Sequence, residues 1–146
     1  MDNVNVAEAT NSNFYENFKV LGETHLSLES KKTLVAEECS ARVKKLTQYF
    51  SENDFPTVGF SWNHVDYDDE LSEDSPEYIQ DSYPCGIFYC AATKKILTWF
   101  DDPSETEVVL GLDRERRVHL ISYVDDLLEA ALRKMTRRLE NLESLA

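Results

Sequence analysis

The chain has 146 residues, 42% of them hydrophobic and 11% aromatic, and a formal net charge of −13. That length suits one domain with its own core. The charge disfavours direct binding of nucleic acid, which relies on a basic face that releases counterions.

The charge is concentrated. Between Lys45 and Lys94 there is no lysine or arginine, while Glu52, Asp54, Asp66, Asp68, Asp69, Glu70, Glu73, Asp74, Glu77 and Asp81 are all acids. Asp101, Asp102, Glu105 and Glu107 follow. The flanking thirds are close to neutral. Charge gathered in one block makes a directed field that selects cationic partners.

The N-terminus, Met1-Asp2-Asn3-Val4-Asn5, has neither the basic nor the apolar region of a secretory signal. No apolar run approaches the roughly 18 residues of a membrane span. Three cysteines, Cys39, Cys85 and Cys90, argue against a disulfide framework. A cytoplasmic protein with reduced thiols is the expectation.

In chain order, residues 1–12 are polar and aperiodic, which predicts a disordered tail ahead of a single domain over 13–146. Phe14, Phe18 and Leu21 predict a short helix that ends at Gly22, a residue suited to the left-handed cap. Leu34, Val35, Cys39, Val43, Leu46, Tyr49 and Phe50 form an apolar stripe and predict a helix near 28–50, stopped before Pro56. Val58, Phe60 and Trp62 alternate with polar residues and predict a strand. Two apolar runs, 85–90 and 96–100, flank Ala92-Thr93-Lys94-Lys95 and predict a hairpin. Residues 106–112 read as a further strand, although Ser104-Glu105-Thr106-Glu107 also fits a capping box.

Asp113 is a candidate N-cap for a long C-terminal helix near 113–143. Ile121, Val124, Leu128, Ala131, Met135, Leu139 and Leu142 define its stripe, widened by Leu120, Leu127 and Leu132. At about 45 Å it exceeds a domain whose radius of gyration should be about 15 Å. Part of it must protrude, bend or pair. Antiparallel packing on the 28–50 helix is one expectation; a homodimer through its C-terminal third is the other. The predicted fold class is α+β, with a small antiparallel sheet of three to four strands packed on these two helices.

Signatures of chemistry are near-misses. Asp66, Asp68, Glu70, Ser72, Asp74 and Glu77 fall in the ligand register of a calcium loop, but Leu71 and Glu73 replace its glycine and its β-branched residue. His64-Val65-Asp66 followed by Pro84-Cys85 and Cys90 departs from zinc-deaminase spacing in both the acid and the cysteine interval. His25, His64 and His119 are far apart in sequence, and no nucleophile elbow or phosphate loop occurs. No catalytic residue, metal or cofactor is expected, and the chain is read as a non-enzyme. Two basic groups, Arg114, Arg116 and Arg117, then Arg133, Lys134, Arg137 and Arg138, are mixed with acids as in a salt-bridged helix face.

The acidic segment itself is the candidate site. Trp62, Tyr67, Tyr78 and Tyr83 sit among its acids, whereas disordered acidic tails lack aromatics. Tyrosine and tryptophan anchor interfaces, and carboxylates steer basic partners. The expected partner-binding residues are Trp62, Asp66, Tyr67, Asp68, Asp69, Glu70, Glu73, Asp74, Glu77, Tyr78 and Asp81. The expected role is an inhibitor whose carboxylates stand in for phosphates in the groove of a basic partner, a nuclease above all. Bacterial immunity proteins, antitoxins and phage anti-defence proteins (DNA mimics and CRISPR inhibitors included) share that surface chemistry. A structural or adaptor protein that self-associates through the C-terminal helix is the alternative.

Overall fold

The computed structural model describes residues 2–67 and 70–145, with side chains from Asn13 onward. The tail expected over residues 1–12 lies outside the described side chains. The element order is α1 (Asp2–Glu52), β1 (Val58–Tyr67), β2 (Ile79–Cys90), β3 (Lys95–Phe100), β4 (Glu107–Val108), a short 3-10 turn (Val109–Gly111) and α2 (Arg114–Leu145). The class is α+β, as the residue pattern predicts.

Helix α1 corrects one expectation. It does not break at Gly22 but runs through it to Glu52. Glycine in a helix costs about 1 kcal/mol relative to alanine, a weak stop on its own. No proline precedes Pro56 to enforce one. Gly22 also lacks the positive φ of a helix cap. The actual stop comes after Glu52, where Asp54 takes φ 47° and the Phe55 amide bonds back to the Phe50 carbonyl at 2.9 Å.

The strands form one antiparallel meander in the order β1-β2-β3-β4. Val58 faces Tyr89, Phe60 faces Ile87, and Trp62 faces Cys85. Ile87 in turn faces Thr98, and Tyr89 faces Ile96. The expected alternation therefore holds, and these residues make the inner face of the sheet. The β2–β3 hairpin turns where predicted, with Lys94 at φ 57°. Segment 106–112 is a strand for only two residues before the 3-10 turn.

Both helices cover the inner face. Ala36, Cys39, Val43 and Phe50 of α1 meet Leu120, Val124, Leu127 and Ala131 of α2 over Ile87, Tyr89 and Ile96. Each fully buried leucine here contributes about 1.5–3 kcal/mol. The buried strip does not coincide with the apolar stripes: Leu120 and Leu127 are core as the widened stripe of α2 predicts, whereas Leu34, Tyr49, Leu128 and Leu132 are exposed.

Antiparallel packing of the helices is the second correction. Arg114 bonds Thr33 and Glu29, Arg117 bonds Ser40, and Asp125 bonds Arg42. Residue numbers rise together along both helices, so they are parallel. The cause is topological. Strand β3 runs toward the β1–β2 hairpin end, and two-residue β4 hardly carries the chain back. Helix α2 starts at that end, capped by Asp113, whose Oδ1 accepts the Arg116 amide at 2.9 Å, and runs alongside α1.

Parallel packing with an offset leaves two overhangs at opposite ends. The α1 arm extends beyond Glu29 with no partner helix, and Phe14, Phe18, Leu21 and Leu28 on it are exposed. The α2 tail extends beyond Met135, with Leu139, Leu142 and Leu145 exposed. No helix among the described residues is long and apolar enough to cross a membrane.

Candidate functional site

The acidic segment forms the distal half of the β1–β2 hairpin. Strand β1 runs opposite to α2, with its base fixed by the Lys134 ammonium donating to the Thr57 carbonyl at 2.9 Å. Farther along, Trp62 lies on Tyr123, and His64 lies on His119 at 4.8 Å between ring centroids. Beyond that level the helix ends and the hairpin continues. Burial falls along the strand as its cover is lost, from 7% exposure at Val58 to 50% at Tyr67.

The tip has local order. Tyr67 and Tyr78 rings meet across the neck at 4.9 Å. The Ser75 amide donates to the Ser72 carbonyl at 2.9 Å, and Tyr78 to Ser75 at 3.1 Å, giving two successive turns. The Ser72 and Ser75 hydroxyls accept from the Asp74 and Glu77 amides. Serine and aspartate favour such side-chain-to-backbone turns. Asp66, Glu70, Glu73, Asp74, Glu77 and Asp81 are all exposed. Asp68 and Asp69 lie outside the described residues.

Asp66 and Asp81 sit opposite each other in the β1–β2 register. Like charges across a sheet cost up to about 1 kcal/mol. The nearest compensation is His64, whose Nε2 is 2.7 Å from Asp66 Oδ1. Glu73, Asp74 and Glu77 have no salt bridge among the described residues. Three arginines of α2 pair with other acids: Arg114 with Glu29 and Glu115, Arg116 with Glu107, and Arg133 weakly with Glu129. Arg117 turns inward onto Ser40.

Trp62 does not join this surface. It is half-buried against the core, and its ring stacks on Tyr123 at 3.7 Å, 8° from parallel. The period-two alternation that put Val58, Phe60 and Trp62 on one face also sends Trp62 under α2. Its Nε1 has no hydrogen-bond partner among the described residues. Tyr83 likewise is half-buried, and burial pushes its hydroxyl above the ordinary tyrosine value. The aromatic members of the tip are thus Tyr67 and Tyr78, joined by exposed Ile79.

The fold also assembles a group that sequence spacing does not reveal. His64 and His119, 55 positions apart, share a cleft of about 310 Å³ with Tyr83, Phe100, Glu115 and Arg116. Burial, then the proximity of His64, holds the His119 imidazole below its ordinary value. Arg116 lies over the Phe100 ring at 5.5 Å. Nothing in the local sequence signals this pairing, because it depends on β1 crossing α2.

No group of three or more histidine, cysteine or carboxylate side chains among the described residues could hold an ion. The calcium-loop register, of which Asp68 lies outside the described residues, is flanked by strands β1 and β2 and not by helices. Cys39 and Cys85 are buried, and burial raises both thiols. Cys90 lies on the opposite face of β2, where hydrogen bonds from Thr93 lower its thiol.

No protein-family model, curated protein or solved structure matches this chain.

Proposed function

We propose that this chain is an acidic inhibitor that docks its β1–β2 hairpin into the cationic groove of a nucleic-acid-binding partner, a nuclease being the class whose site fits best. One observation carries the reading: the carboxylates of Glu73, Asp74 and Glu77 stand exposed on a turn-braced hairpin tip with no ion pair among the described residues, while Arg114 and Arg116, at the near end of α2, pair with other acids. A carboxylate array on a preformed support meets a phosphate-binding groove without the cost of ordering a loose chain. Tyr67, Tyr78 and Ile79 supply apolar contact beside the charge. The facing Asp66–Asp81 pair supports the same reading, because a local conflict in an otherwise consistent fold marks a place kept for another use. The chain acts by occupying a site and performs no reaction of its own.

The test is capture from native lysate with the wild-type chain and with the Glu73→Lys, Asp74→Lys, Glu77→Lys variant. The expected result is a basic, nucleic-acid-binding protein retained by the first and lost by the second, whose activity the wild-type chain blocks. Equal retention by both proteins would overturn the reading.

A further inference from the structure

The two ends of the molecule are complementary to each other. At one end stand the acidic hairpin tip and the unpartnered α1 arm with Phe14, Phe18, Leu21 and Leu28 exposed. At the other stands the unpartnered α2 tail, with Leu139, Leu142 and Leu145 exposed. Beside that tail, a groove of about 630 Å³ between α2 and the start of β1 gathers Arg133, Lys134, Arg137 and Arg138 around Phe60. Arg137 and Arg138 have no ion pair among the described residues. In a chain of net charge −13, four bases within six positions are a local inversion of the field.

We propose that copies of this chain associate head to tail, the α2 tail and basic groove of one copy receiving the α1 arm and acidic hairpin of the next. Two independent complementarities select the same occupant. The first is charge: the Arg137 and Arg138 guanidiniums meet the Glu73 and Asp74 carboxylates. The second is apolar: the α2 tail lacks a neighbouring α1, and the α1 arm lacks a neighbouring α2. Since α1 and α2 are parallel within one chain, a shift along their common direction sets the tail of one copy beside the arm of another in that same parallel sense.

The dimensions allow it. Residues 13–28 of the arm span about 24 Å and residues 136–145 of the tail about 15 Å. The hairpin projects beyond the start of α2 on the arm's side, and the groove lies on the tail's side. The interface joins unlike surfaces, so each added copy presents a fresh head and a fresh tail, and the assembly grows unless it closes into a ring. At about 0.1 M salt the screening length is about 10 Å. That suppresses long-range repulsion between two anionic chains and leaves contacts between adjacent groups in force.

This assembly does not depend on the inhibitor reading, and the purified chain alone tests it. Two variants block one end each: a head variant, Phe18→Ser with Glu73→Gln and Asp74→Asn, and a tail variant, Arg137→Glu with Arg138→Glu. All five positions are exposed, so both should keep the wild-type circular dichroism. In sedimentation velocity at millimolar concentration and about 0.1 M salt, wild-type mass should rise with concentration above the 16.8 kDa of one chain. Each variant alone should stay monomeric. Their equimolar mixture should form a 1:1 dimer and nothing larger, because only one intact head meets one intact tail. A wild-type chain that stays monomeric, or a mixture that stays monomeric, would overturn the proposal. So would a tail variant that associates like wild type. Retention of a basic partner by the tail variant is a separate readout, and its loss or survival bears only on the inhibitor reading.

Discussion

Trp62 of β1 and Tyr123 of α2 stack face to face, 3.7 Å between ring centroids and 8° from parallel. Phe60 extends the stack at 6.1 Å from Trp62. This contact fixes the base of the hairpin to the helix pair, so the angle at which the acidic tip projects depends on it. Replacing Tyr123 with alanine should cost about 2–3 kcal/mol of stability through lost area and lost ring contact. Urea unfolding measures it, and a change below about 0.5 kcal/mol would show that the stack does not anchor the strand.

On the uncovered face of the sheet, Trp99 lies across Gly86. A β-carbon at Gly86 would come within 2.2 Å of the Trp99 indole nitrogen. Gly86→Ala should therefore expel the indole from its seat and destabilise the fold by about 1–3 kcal/mol. Trp99 would become more exposed, and tryptophan emission should shift to the red in the folded state. Unchanged emission and stability would mean that the indole does not rest there.

Asp113 caps α2 through its bond to the Arg116 amide at 2.9 Å. Asp113→Ala should cost about 1 kcal/mol, seen as a fall in melting temperature of roughly 3 °C for a chain of this size. Asp113→Asn keeps an accepting oxygen and should recover most of the loss. Equal melting temperatures for the alanine variant and wild type would remove the cap.

His119 titrates below its ordinary value of 6.5, first through burial and then through His64. The folded chain accepts this proton less readily than the unfolded chain does. The neutral imidazole therefore contributes stability at pH above about 6.5 that is lost as pH falls through that value and toward the folded one. Stability measured from about pH 7 down to pH 5 should fall more steeply in wild type than in His119→Gln. His64, Asp66 and Tyr123 face the same ring and remain in both proteins, so the difference between slopes reports His119 together with its contacts to them. Parallel slopes would contradict the assignment.

Periodicity made the faces of the elements readable. Val58, Phe60 and Trp62 lie on the inner face as their alternation requires, and the oxygen of Asp113 starts α2. What periodicity does not carry is partnership. Trp62 among acids reads as an interface anchor until α2 is seen to cross above it. Leu128 and Leu132 belong to the same repeat as Leu127 and Ala131, and only packing decides which pair is core. Gly22 reads as a stop because glycine suits one, yet nothing downstream enforces it before Pro56. The parallel helices follow from the brevity of β4, a length that residues 106–112 leave open between strand and helix. The position of the acids on one hairpin was legible, since they are contiguous in sequence. The meeting of His64 with His119 was not.

The most direct measurement on the acidic hairpin is the rate at which this chain associates with the partner it captures, followed from about 0.05 to 0.5 M ionic strength. The wild-type rate should drop by about tenfold or more as carboxylate steering is screened, and the Glu73→Lys, Asp74→Lys, Glu77→Lys variant should bind slowly throughout. A wild-type rate that is flat with salt, or matched by that variant, would contradict recognition by the hairpin charge.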